Sequence, residues 1–120
     1  MRQHASLSPQ RWGRFPREQQ ILMIANEMNR ATRLMAAKDQ HNRRLAYERV
    51  LRLVDLTVEV NARRTFRREL LRWRDLVAEL YIEDEANAGA HQSALRSLLQ
   101  LTPTAFAQVD FLLPDHSSKH

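Results

Sequence analysis

Cysteine is absent from the 120 residues, and glycine and lysine occur only twice each. Each scarcity excludes something. Without thiols there are no disulfides, no thiolate metal centres and no cysteine nucleophile. Two glycines and four prolines are too few turn formers for most strand-dense β architectures, and they exclude collagen-like and linker-like chains. No run approaches the ~18 consecutive apolar residues of a membrane-crossing helix, so no membrane contact is expected. Met1-Arg2-Gln3-His4 carries none of the apolar stretch of a secretory leader, and a cytoplasmic protein is expected.

What is present describes one globular domain. Hydrophobic residues make up 43% and charged residues 28%, enough apolar surface to build a core rather than a disordered chain. The net charge is +5, and the cations are almost all arginine, seventeen against Lys38 and Lys119. Arginine forks pair bidentately with carboxylates and phosphates, which suits a contact surface.

Between Pro16 and Gly89 there is no further proline or glycine, a strong helical signal. Residues 1–15 read as a flexible arm, its end docked by Trp12 and Phe15. A first helix starts at Pro16, placed at the first helical position, with Ile21, Ile24, Met28, Ala31 and Met35 along one face. Asp39 to Asn42 is the break, Asn42 being the expected N-cap of a second helix over 43–60. There Ala46, Val50, Leu53, Thr57 and Val60 form one apolar stripe, and Tyr47, Leu51, Val54 and Val58 a second. Asn61 is the expected turn. A third helix over 62–83 follows, with Phe66, Leu70, Trp73, Val77 and Leu80 in the most regular seam of the chain. A fourth spans 90–101, and Thr102-Pro103 opens a short fifth carrying Phe106, Val109 and Leu112. The domain is read as 16–113 and a disordered tail as 114–120. The expected fold is an all-α up-and-down helical bundle, three long helices with a shorter fourth and a short terminal one.

Charge is laid out in blocks. Residues 43–74 carry a net of +6, and residues 75–85 hold five acids and no base. The third helix therefore has cations at its N-terminal end and anions at its C-terminal end, against its own macrodipole. Folding helices 2 and 3 antiparallel about Asn61 offers one account. It sets Glu59 near Arg63 and Arg64, Asp55 near Arg67 and Arg68, Glu48 near Arg72 and Arg74, and Arg43 and Arg44 near Glu79. The other account gives Arg63, Arg64, Arg67, Arg68 and Arg72 to a partner or to a phosphate backbone. Arg64, Arg68 and Arg72 repeat at i, i+4, i+8 and can follow a strand of phosphates.

Catalytic and metal patterns are weak. No glutamate has a histidine three positions on, as a di-iron bundle needs. His116 and His120 have a metal-compatible spacing but lie in the tail, and His41 and His91 fall at helix junctions, where they read as capping or solvent-facing. Ser93 and Ser97 near His91 lack an orienting acid, and Leu95, Leu98 and Leu99 read as core. No cofactor or catalytic residue is expected. The leading expectation is a non-enzymatic interaction or scaffold protein, a homo-oligomer (a dimer first) that self-associates through its apolar helix faces; Tyr47, Leu51, Val54, Val58, Phe66, Leu70, Trp73 and Val77 are the candidate core or oligomer seam, with Leu70 and Trp73 expected to be buried. The alternative is a small basic nucleic-acid-binding protein using the arginine row.

Overall fold

The computed structural model describes residues 7–102. They form an all-α bundle with no strand among the described residues: α1 (Pro9–Trp12), α2 (Arg17–Thr32), α3 (Gln40–Val60), α4 (Arg64–Ile82) and α5 (Ala88–Leu99), with a 3-10 turn at Ala37–Asp39. Helix α3 packs against α1, α2 and α4, and α5 closes the bundle against α2 and α4. The expected fifth helix and the tail lie outside the described residues, as do residues 1–6.

The helix ends differ from the sequence expectation for local reasons. Pro16 is extended and precedes α2, whose fourth residue, Gln20, donates its amide to the Pro16 carbonyl at 3.0 Å. Helix α2 stops at Thr32, three residues before Met35, and the chain tightens through Leu34 N to Ala31 O. Asp39, not Asn42, holds the cap position of α3, and Asn42 lies within its first turn. Asn87 caps α5, its side chain accepting from Ala90 N at 3.0 Å, which satisfies one of the unpaired N–H groups of a helix start.

Residues 7–15, the described part of the expected arm, pack onto the domain. Ser8 caps α1, accepting from Arg11 N at 3.2 Å, and Trp12 is fully buried. The Trp12 indole donates to Thr57 Oγ1 at 2.9 Å, and the Thr57 hydroxyl donates on to Leu53 O at 2.7 Å. Gln20 Nε2 ties down the carbonyls of Trp12 and Phe15, each at 3.0 Å. Its Oε1 accepts from Asn61 Nδ2 at 2.9 Å. Every polar atom brought inside by α1 therefore has a partner, the condition for burying it at acceptable cost.

The seams read as core or oligomer surface serve as core. Tyr47, Val54, Phe66, Leu70, Trp73 and Val77 are buried in the single chain, and Leu51 and Val58 are half-buried against the same core. The wide apolar face of α3 is covered by α1, α2 and α4 rather than left for a second subunit. The Trp73 indole donates to Ala94 O at 2.7 Å and fixes α4 on α5.

Candidate interaction surface

The register of the α3–α4 hairpin decides which charges remain free. Arg74 Nε donates to Asp55 Oδ1 at 2.7 Å and Nη2 to Oδ2 at 3.2 Å, a bidentate pair. The Tyr81 hydroxyl donates to Glu48 Oε2 at 2.8 Å, and Arg44 meets Asp84 at 3.0 Å. The expected partners of Asp55, Arg67 and Arg68, are thus about two helical turns out of register, as are those of Glu48. The turn is not at Asn61 alone: residues 61–63 are extended and α4 begins at Arg64. The first turns of α4 therefore lie at the hairpin end, where Glu59, in the last turn of α3, is exposed and forms no ion pair with Arg63 or Arg64.

Arg43 is a further correction. It is buried and reaches no carboxylate; Nη1 donates to Leu34 O at 3.0 Å and Nη2 to Asp84 O at 3.3 Å. It caps backbone carbonyls left free where α2 ends, and it joins that bend to the α4–α5 connection.

Arg63, Arg64, Arg67, Arg68 and Arg72 are all exposed, and none pairs with an acid among the described residues. With Arg74, Asp55, Ala62, Leu71 and Asp75, four of them line an open groove of about 880 Å³ beside α3. Further along α4, Asp75, Glu79 and Glu83 are equally exposed and without a paired cation. Between and beside these charges stand Leu71 and Leu76, each 45% exposed, and Ile82, 70% exposed. All lie away from the seam of Phe66, Leu70, Trp73, Val77 and Leu80 that faces the core. The outward face of α4 is thus two blocks of opposite charge with exposed leucines at their junction.

Buried polar chemistry is present but inward and closed. His91, expected at a solvent-facing junction, is buried and bridges three helices. Its Nδ1 lies 2.9 Å from the Tyr47 hydroxyl and its Nε2 lies 3.0 Å from Thr32 Oγ1. Thr32 donates its only hydroxyl proton to Met28 O at 3.2 Å, so it accepts from Nε2–H and Tyr47 donates to Nδ1. Burial holds the His91 imidazole down at about 4, against a smaller upward pull from the Met28 carbonyl. Desolvation pushes the Tyr47 phenol up to about 12, with Arg43 opposing and Glu83 adding. Both groups are therefore neutral near pH 7. Glu27, also buried, takes Arg49 Nε at 2.9 Å.

His91, Gln20 and Arg43 all sit on the apolar period of their helices, His91 in step with Ala94, Leu95 and Leu98. That periodicity was the available signal for their burial. Among the described residues no three His, Asp or Glu side chains are grouped to hold a metal, and no helix is long and apolar enough to cross a membrane. Comparison with known families, curated proteins and solved structures finds no match to this chain.

Proposed function

We propose that the protein is a non-enzymatic helical interaction module, working in the cytoplasm, that self-associates through the outward face of α4. The observation that supports this most directly is the exposed helix face carrying both signs of charge, in no ion pair among the described residues, around Leu71 and Leu76. Charge complementarity across an interface selects partner and orientation, and small apolar patches between the charges supply desolvation. The polar side chains of the interior support the non-enzymatic part of the reading. His91 and Tyr47 are buried and bond to each other, and His91 also to Thr32, whereas a general base needs a reachable proton.

Sedimentation velocity on the full chain from ~1 to 100 µM, at low and high salt, tests the reading. The expected result is a dimer that dissociates on dilution and with added salt, because exposed ion pairs are screened. A 14 kDa species throughout that range overturns it.

A second reading has its own support. The groove lined by Arg64, Arg67, Arg68, Arg72 and Arg74 offers a row of guanidinium forks to a phosphate backbone. Fluorescence anisotropy with labelled single-stranded and duplex oligonucleotides at ~150 mM salt separates the two. Micromolar binding that disappears on replacing Arg64, Arg68 and Arg72 with serine favours nucleic acid as the partner.

A further inference from the structure

Helix α4 carries its charges in an order that matches its own reverse. Counting forward from Arg64 in steps of four gives Arg68 and Arg72; counting back from Glu83 in the same steps gives Glu79 and Asp75. All six are exposed; Arg64, Arg68, Arg72, Asp75 and Glu79 lie on the side of α4 away from the core seam, and Glu83 is the extended residue that follows its last turn. The midpoint of both series falls between Trp73 and Arg74. Leu71 and Leu76, the two half-exposed leucines, are placed symmetrically about that same point.

From this order we propose that two copies of the chain pair antiparallel, α4 against α4, about a two-fold axis at residues 73–74. This rests on the self-association reading and fixes its geometry. Arg68 then faces Glu79 of the second copy and Arg72 faces Asp75, Arg64 comes level with Glu83, and Leu71 and Leu76, about 140° apart around the helix, flank the charged stripe on opposite sides. Each pairing occurs twice by symmetry, as an isologous interface requires. Sliding one helix by a turn either way leaves one arginine of the three opposite no acid. The stated register is the one in which all three arginines meet an acid.

The arrangement also accounts for the charge order that works against the α4 macrodipole. In the single chain, cations gather at the N-terminal end and anions at the C-terminal end, each unfavourable next to the helix terminus it adjoins. An antiparallel neighbour brings its acidic half alongside the basic half and opposes the two macrodipoles. The α3–α4 register leaves these charges free for that use, since Asp55 is occupied by Arg74 and Asp84 by Arg44. A helix of 19 residues, ~28 Å long, gives an interface at the lower end of specific ones, with micromolar rather than nanomolar self-affinity expected.

The experiment uses two variants of the full chain, Arg68→Glu and Glu79→Arg, and analytical ultracentrifugation of each alone and of their equimolar mixture. In the proposed register each variant sets like charges together in its own homodimer, and self-association weakens roughly tenfold or more. The mixture restores opposite signs at both sites, so a heterodimer forms with near wild-type affinity. Circular dichroism confirms that both variants keep the wild-type helicity. A wild-type dimer whose variants fail to complement overturns the register while leaving self-association standing. A wild-type monomer overturns both. If Arg68→Glu loses nucleic-acid binding while Glu79→Arg keeps or strengthens it, and neither changes mass, the face belongs to the second reading instead.

Discussion

The Tyr47 hydroxyl lies 2.9 Å from Nδ1 of His91, joining the middle of α3 to the first turn of α5 inside the core. On its other side the imidazole reaches Thr32 at the end of α2, so one ring holds three helices by neutral hydrogen bonds. Protonating it would put a charge where water cannot solvate it and would remove the acceptor that Tyr47 uses.

This makes acid stability the first prediction. Burial lowers the His91 imidazole from its ordinary 6.5 to about 4, so the folded state favours the neutral ring. The stabilisation is complete above pH ~6.5 and is lost as the pH falls towards 4, amounting to roughly 3 kcal/mol in all. Urea unfolding between pH 7.5 and 5 isolates this group, since ordinary carboxylates titrate mostly below that window. The midpoint should fall steadily for the wild type and stay flatter in His91→Gln. Equal slopes in the two proteins would refute the assignment.

A second prediction concerns Trp12. With its ring fully buried and its indole bonded to Thr57, Trp12→Ala should cost ~3–5 kcal/mol. Thr57→Val keeps the shape but leaves the indole without an acceptor, at ~1–3 kcal/mol. Chemical denaturation of both variants measures these losses. An unchanged midpoint for Trp12→Ala would return residues 7–15 to the role of a loose arm.

Regular amphipathic segments were legible because one-sided burial writes its period directly into the sequence. Phe66, Leu70, Trp73, Val77 and Leu80 are buried together on α4, as their spacing implied. Trp12 docks the end of the arm as expected, but with no period around it the sequence did not name its partner, Thr57, far along the chain. The hairpin register was ambiguous for a different reason. Arginines repeating every four residues fit several registers, and exposed ion pairs are too weak to choose between them. Core packing chose, and it matched Asp55 to Arg74 and Glu48 to Tyr81. The arginines themselves were visible in the sequence. That they would form no ion pair among the described residues was not.

Adjacent positions on α4 provide a third prediction. Leu70 is buried and Leu71 is nearly half exposed. Leu70→Ala should cost ~2–5 kcal/mol of stability, whereas Leu71→Ala should stay within ~0.5 kcal/mol, as for an isolated surface site. Thermal unfolding at sub-micromolar concentration keeps association out of the comparison. Equal losses at the two positions would mean that α4 is rotated from the orientation described.

The last prediction tests the α3–α4 register through Asp55. Its bidentate contact is with Arg74, while Arg68 shares the groove without pairing to it. Double-mutant cycles distinguish the two arginines because they isolate the pairwise part of each loss. The cycle Asp55→Asn with Arg74→Gln should give a coupling of ~0.2–1 kcal/mol, the range of exposed ion pairs. The cycle Asp55→Asn with Arg68→Gln should give none beyond the ~0.3 kcal/mol scatter of independent sites. Both are measured by urea unfolding at concentrations where the chain is monomeric, so the proposed second-copy contact of Arg68 does not enter. Raising the salt to ~1 M should shrink the first coupling and leave the second unchanged. A larger coupling to Arg68 than to Arg74 would restore the tighter hairpin register, and with it an intrachain role for the arginine row.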